Sequence, residues 1–173
     1  MIYNKNIDLR YYMNIIIREA ISKDMSKVLK LIKELAIFEK EPDAVIITEK
    51  QLINDGFSSS PKFKCLVAEL NQKILGMALF YPRYSTWKGP TIHLEDLIVT
   101  KSARGKGIGF KLFSEVIHYA FKLNVKRVEW AVLEWNKTAL DFYEKNGAQV
   151  LDDWRVAQMD LNAIKKFVRN ENF

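Results

Sequence analysis

Arg104-Gly105-Lys106-Gly107-Ile108-Gly109 separates an apolar run that ends at Val99 from an amphipathic one that continues to Leu123. Outward from these residues the chain reads as strand, glycine-rich turn and helix. Glycines let a backbone approach a ligand closely and aim several N–H groups at it. The helix N-terminus adds partial positive charge, and Arg104 and Lys106 add full charges. That combination suits an anion, a diphosphate above all. A P-loop would need G-x-x-x-x-G-K-[S/T], which Lys111-Leu112 does not supply. A dinucleotide fingerprint would need G-x-G-x-x-G near the first strand, whereas this G-x-G-x-G lies past mid-chain. Both alternatives fail on spacing. The glycines alone are also compatible with a tight strand-to-helix turn that binds nothing.

The flanking segments extend the alternation. Ile15-Ile16-Ile17 is a β-branched run that reads as a first strand. Val28, Leu29, Ile32, Leu35 and Ala36 recur at helical spacing over 22–39, and Pro42 blocks continuation. Thr48-Glu49-Lys50-Gln51 is a capping-box pattern for a second helix, closed by Gly56. Strands over 63–70 and 74–81 flank a turn at Asn71-Gln72-Lys73, and a third over 91–99 follows Lys88-Gly89-Pro90. Beyond the glycine-rich turn and its helix come a strand over 127–132 and a helix over 137–146 ended by Gly147 at C′. A last strand is expected around 154–159, and the tail from Leu161 reads as helical before it frays. This order implies a mixed sheet with helices on both faces, an α/β domain.

At 173 residues, with 49% apolar and 12% aromatic residues, the chain has the length and composition of one globular domain. Disordered, fibrous and low-complexity classes are excluded. No internal repeat or Gly/Ser/Pro-rich linker interrupts residues 14–161, which read as the domain, with 1–13 an extension and 162–173 a tail. The extension lacks the apolar core of a signal peptide. No stretch reaches the roughly 18 apolar residues that span a bilayer. The single cysteine, Cys65, rules out an internal disulfide and suits a reducing cytosol; within Cys65-Leu66-Val67-Ala68 it reads as a small core residue. His93 and His118 show no metal-ligand spacing and read as structural or surface residues, so no metal is expected. Net charge is +6, with +1 on residues 1–13, +2 on 162–173 and +3 on the body. A basic balance favours anionic partners, nucleic acid included. No dense Lys/Arg run with interleaved aromatics appears, so neither nucleic acid nor membrane is expected as a partner.

Arg104-x-x-Gly107-x-Gly109 resembles the Q/R-x-x-G-x-G/A acetyl-CoA signature of the GNAT superfamily of N-acetyltransferases. The similarity extends to the spermidine/spermine (diamine) acetyltransferases through Ile32-Lys33-Glu34-Leu35-Ala36, Thr48-Glu49-Lys50, Asp55-Gly56-Phe57, Cys65-Leu66-Val67-Ala68-Glu69, Leu94-Glu95-Asp96, Glu134-Trp135-Asn136, Phe142-Tyr143 and Gly147-Ala148. It covers residues 17–160, nearly the whole body. The resemblance implies the GNAT fold, a mixed and mostly antiparallel central sheet with helices on both faces. It also implies a cytoplasmic homodimer, acetyl-CoA as co-substrate and a small-molecule amine as acceptor.

Acetyl transfer from a thioester to an amine sets its own requirements. A primary amine with a pKa of about 10 is almost wholly protonated at neutral pH, so a base must remove a proton before attack. The expelled thiolate gains from a proton donor, and the carbonyl oxygen needs hydrogen-bond donors. The family places a tyrosine from the helix after Asn136 beside the thioester sulfur, which makes Tyr143 the candidate acid. Glu95 is the candidate base, acting through water; it and Asp96 interrupt an apolar strand, and alternation sends them to opposite faces. Leu97, Ile98 and Val99 are expected to offer backbone groups to the pantetheine arm as an added strand would. The N–H of Leu97 or Ile98 is placed to polarise the carbonyl. Arg104, Gly105, Lys106, Gly107, Ile108, Gly109 and Phe110 are expected to hold the diphosphate, and Asn136, Lys137, Thr138 and Ala139 the remaining cofactor contacts.

A small polycation is best read by spaced carboxylates, so a polyamine or diamine acceptor is the main expectation. Glu39, Glu95, Glu129 and Asp152 or Asp153 occupy positions where the family lines its amine channel, with Phe38, Trp130 and Ala131 beside them. Departures from the family pattern bear on the choice of amine. Phe38 stands where the mammalian enzymes have a tyrosine, Glu129 replaces a histidine-type position, and the loop over 149–154 is shorter. Alternatives are another amine (thialysine, an amino acid, a protein lysine or N-terminus), a catalytically weak acetyl-CoA binder, or a nucleic-acid-binding protein.

Overall fold

The computed structural model describes residues 14–170, which form two compact units that meet in sequence between Ala131 and Val132. The extension at 1–13 lies outside the described residues. In the first unit, β1 (Ile16–Glu19) is followed by α1 (Met25–Phe38) and α2 (Glu49–Phe57). Then come β2 (Lys64–Leu70), β3 (Lys73–Ser85), β4 (Gly89–Val99), α3 (Ile108–Lys122) and β5 (Val128–Glu129). The strands form one sheet in the order β1-β2-β3-β4-β5, antiparallel except for the parallel β4–β5 pair. The mixed, mostly antiparallel α/β architecture is as expected.

The helix expected over 22–39 is split, because a 3-10 turn (Ser22–Asp24) precedes α1. Asp24 accounts for the break. Its Oδ2 accepts the Ile21 N–H at 2.8 Å and an Arg18 Nη1 hydrogen bond at 2.6 Å. Arg18 Nε also donates to Glu69 Oε2 at 2.7 Å, tying β1, β2 and the turn together. The Arg18 guanidinium holds the Asp24 carboxyl below the usual carboxylate range. The Thr48 cap forms as its pattern predicts: Thr48 Oγ1 accepts from Gln51 N and Gln51 Oε1 accepts from Thr48 N. Between β2 and β3 the loop is the pair Asn71-Gln72, at φ 49° and 63°, with Lys73 already in the ladder. Two positive φ values match the type I′ turn that follows strand twist.

One face of the sheet buries Cys65, Val67, Met77, Leu79 and Ile98 against Met25, Val28 and Leu31 of α1 and Leu52 of α2. Burial pushes the Cys65 thiol up to about 12, which leaves it unreactive. The other face packs on α3, where Phe80 meets Tyr119 edge-on at 5.1 Å. At Gly76 an added Cβ would lie 2.7 Å from the Ile98 carbonyl oxygen and 3.2 Å from Leu112 Cδ1. That oxygen belongs to the neighbouring strand and cannot swing away. Gly76→Ala is therefore expected to destabilise the protein by about 2 kcal/mol. A lowered denaturant midpoint at unchanged m-value would register it.

The second unit contains α4 (Lys137–Lys145) and α5 (Leu161–Asn170). Asn136 Oδ1 caps α4 by accepting the Ala139 N–H. Gly147, at φ +89°, ends it in a Schellman motif, with Ala148 N donating to Tyr143 O and Gly147 N to Glu144 O. Two expectations are corrected. β5 stops at Glu129, and residues 154–159 form no strand. A strand-forming composition gives a strand only where a neighbour completes the ladder, and Trp154, Val156 and Met159 are all exposed. No described helix is long and apolar enough to cross a membrane.

Candidate functional site

β4 carries Leu94-Glu95-Asp96. Leu79 of β3 faces Asp96 and the next residue, Phe80, faces Leu94, so Glu95 is an extra residue in the ladder, a β-bulge. The bulge cancels the alternation. Glu95 Oε2 accepts the Tyr81 hydroxyl at 2.7 Å and lies 3.6 Å from His93 Nε2. The Tyr81 and His93 rings are 5.2 Å apart. Tyr81 and Leu79, the partner of Asp96, both belong to the packing under α1 and α2. Both carboxylates therefore serve one face, and the expectation of opposite faces is corrected.

Asp96 is half-buried, and removal from water pushes its carboxyl up to about 6, with the charges of Glu95 and Glu39 adding to the rise. Glu39, at the C-cap of α1, thus joins the same acidic group. Desolvation also pushes the Tyr81 phenol up to about 12, helped by its hydrogen bond to Glu95, so Tyr81 stays a donor. Sequence reasoning passed over Asp96, Tyr81 and His93. The Glu-Asp doublet was the available signal, and strict alternation discounted half of it.

β4 leads directly into the glycine-rich turn. Gly105 and Gly107 adopt φ of +75° and +77°, and nothing lies within 4 Å of a Cβ built at either. The turn is open, not packed shut. Gly107 is the N-cap of α3, whose first N–H groups lack intrahelical partners. Arg104 Nε donates to Val99 O at 2.9 Å, and its guanidinium sits 5.0 Å from the Phe38 ring centroid. Phe38 thus packs on the signature arginine. Glu34, one helical turn earlier on α1, accepts from Lys101 N at 2.7 Å and from the Thr100 hydroxyl at 2.8 Å. Glu34, which sequence reasoning did not assign a role, braces the segment ahead of the turn. Lys106 Nζ donates to Ser102 O at 3.4 Å, Phe110 is exposed, and the Ile108 side chain is in the core. Uncrowded glycines, a helix start, an arginine and a lysine make a donor set that fits a diphosphate.

β5 pairs with β4 only at Ile92 and His93. Past His93, β4 continues through Leu97, Ile98 and Val99 with no described strand on that side. The Ile98 side chain is buried and those of Leu97 and Val99 are half-buried.

Of the other residues expected in the channel, Glu129 and Trp130 have partners within the first unit. Glu129 is held between guanidiniums, with Arg83 Nη1 at 2.8 Å from Oε1 and Arg127 Nε at 3.0 Å from Oε2. Its charge is balanced within the protein. Trp130 packs edge-on against Phe113 of α3 at 5.5 Å, away from the acidic face; Ala131 is exposed. In the second unit Tyr143 is buried, its ring 5.2 Å from that of Phe142, and burial pushes its phenol up to about 12. Asn136, Lys137, Thr138 and Ala139 form the start of α4, while Asp152 and Asp153 lie in an exposed loop. Among the described residues no group of three or more His, Cys, Asp or Glu is placed to hold a metal.

Comparison with known proteins bears on the same features. Residues 25–148 match the acetyltransferase (GNAT) family. Thialysine N-epsilon-acetyltransferase of Bos taurus is 39% identical over 163 residues, covering 88% of this chain and 96% of that protein. The Homo sapiens spermidine/spermine N(1)-acetyltransferase-like protein 1 is 34% identical over 139 residues, 76% of this chain but 20% of that protein. Among solved structures, an integron cassette protein from the mobile metagenome of V. cholerae superposes with a TM-score of 0.75 at 26% identity, covering 91% of this chain and 99% of that one.

Proposed function

Because the chain belongs to the GNAT acetyltransferase family, we propose that it moves the acetyl group of acetyl-CoA onto the terminal amine of a small molecule of the thialysine type, an amino acid whose side chain ends in a primary amine. The observation that carries this reading is the acidic group Glu39, Glu95 and Asp96, set on and beside the strand that runs into the open glycine turn. Similarity to thialysine acetyltransferase over nearly the whole of both chains supports it. Acetyl-CoA, when bound, supplies the activated acetyl group; the rest falls to the chain's own residues. Backbone N–H groups over 105–110, with Arg104 and Lys106, hold the diphosphate. The backbone over 97–99, which β5 leaves unpaired on that side, receives the pantetheine arm and polarises the carbonyl. The start of α4 at Asn136 supplies further contacts. Asp96 and Glu39 hold the substrate ammonium. Glu95, oriented by Tyr81, takes a proton through water, and Tyr143 donates one to the leaving thiolate.

The three carboxylates, together with the similarity to the spermidine/spermine relative, favour a polyamine as the second reading. Thiol release from acetyl-CoA, measured across thialysine, lysine, putrescine, spermidine, spermine and histone peptides, separates the two. Thialysine is expected to give the highest kcat/KM. Tight acetyl-CoA binding with no amine turned over above background would remove the enzymatic reading. We further propose a cytoplasmic homodimer. Leu161, Ile164, Phe167 and Val168 recur at helical spacing on α5 and all are exposed, an apolar stripe suited to burial against a second copy. A monomeric mass by light scattering at micromolar concentration would contradict it.

A further inference from the structure

Beside the acidic group the same sheet face changes sign. Glu129 is the β5 partner of His93, and Arg83 lies on β3 two residues beyond Tyr81, which faces His93. Strand alternation puts Tyr81 and Arg83 on one face; Glu95 contacts Tyr81 and His93, Glu129 pairs with Arg83 and Arg127, and the His93–Glu129 ladder pair sets the two groups side by side. The two arginines and one glutamate leave a net charge of +1. Arg83 meets Glu129 through Nη1 and Arg127 through Nε. Among the described residues no other hydrogen bond or ion pair engages Arg83 Nε or Nη2 or either terminal nitrogen of Arg127. Both guanidiniums are partly exposed, at 54% and 37% of the side chain. Glu129 holds them in place while their outer N–H groups stay available to an incoming anion.

We infer that Arg83 and Arg127, braced by Glu129, form a carboxylate subsite that selects amines bearing an acid group at the end remote from the reacting nitrogen. This deepens the proposed acetyl transfer and rests on it. Arg83 stands one side-chain step along β3, about 7 Å, from Tyr81, whose hydroxyl holds Glu95, a spacing of the same order as the reach from the terminal amine of an extended lysine-like side chain to its own carboxylate. An amino acid with a side-chain amine therefore satisfies both ends, its amine at Glu95 and its carboxylate at the arginines. A polyamine or diamine brings a second cation to the arginine end and is repelled there. A purely structural ion-pair cluster linking β3 to β5 would show no such discrimination.

Lysine against cadaverine, and ornithine against putrescine, differ by the α-carboxylate, so the ratio of kcat/KM within each pair reads the subsite directly. The protein as it stands is expected to favour the amino acid in each pair by about tenfold or more, about 1.4 kcal/mol. Arg83→Ala and Arg127→Gln are each expected to cut that ratio about tenfold, chiefly through the KM of the amino acid. Equal or better use of the diamines by the unaltered protein overturns the subsite and leaves acetyl transfer standing. Variants that lower both members of a pair alike also overturn it, because they assign the arginines a structural role. Absence of turnover with these four amines and with thialysine overturns acetyl transfer to small amines and the subsite with it.

Discussion

Tyr143→Phe is expected to lower kcat about 100-fold or more while the dissociation constant for acetyl-CoA stays unchanged. The substitution deletes one hydroxyl and keeps the ring, so packing against Phe142 is retained. What it removes is a proton donor. A phenol that burial pushes up to about 12 remains protonated across the physiological range, so its hydroxyl is available to hydrogen-bond the sulfur and share its proton as negative charge develops there. General acid catalysis by a positioned group contributes about 10²–10⁴-fold. The loss should therefore appear in turnover and not in cofactor binding. Equilibrium binding of acetyl-CoA beside steady-state thiol release checks both halves. A variant that keeps more than half of the parent turnover would show that the donor is another group.

Asp96→Asn is expected to have opposite effects on stability and on activity. In the folded protein the Asp96 carboxyl stands at about 6, pushed up by burial and by Glu95 and Glu39; in an unfolded chain an aspartate titrates at about 3.9. The folded state thus binds the proton more tightly. As pH rises from about 4 to about 6, ionising this buried group costs stability, up to about 3 kcal/mol at neutral pH. The neutral amide has no such cost. Asp96→Asn should therefore be more stable than the parent at pH 7, and the difference should vanish near pH 4. Activity should move the other way. Losing a carboxylate that holds the substrate ammonium raises the amine KM on the order of tenfold to a hundredfold. It should also remove the acidic limb, with an apparent pKa near 6, from the profile of kcat/KM for the amine. Thermal denaturation at both pH values, with amine kinetics from pH 5 to 8, tests the pair. Equal stability of variant and parent at pH 7 would show that Asp96 is not a strained, buried acid.

The acceptor was harder to read than the reaction. Counting carboxylates at Glu39, Glu95 and Glu129 points to an all-acidic channel and hence to a polycation. Glu129 changes that picture, because Arg83 and Arg127 neutralise it. Arg83 lies on β3, far in sequence from Arg127 and Glu129 at β5, and no local pattern announces that their side chains converge. Phe38 gains a second contact in the same way. Its place beside Glu39 makes it an expected part of the amine site, and in the fold its ring also lies 5.0 Å from the Arg104 guanidinium. That makes α1 a brace for the diphosphate turn through both Glu34 and Phe38.

Sequence by itself determined the order of the elements in the first unit, the Thr48 and Asn136 caps, the end of α4 at Gly147, and the open turn at Gly105 and Gly107. Each of these depends on forces that act within a few residues: capping hydrogen bonds, the φ freedom of glycine and the period of apolar side chains. Tertiary structure alone decided that Glu95 bulges out of β4, that Asp96 therefore joins it on one face, and that residues 154–159 lack a ladder partner. The reason is physical. Register, burial and charge compensation are set by residues distant in the chain, and a single extra residue in one strand reverses the face on which every following side chain stands.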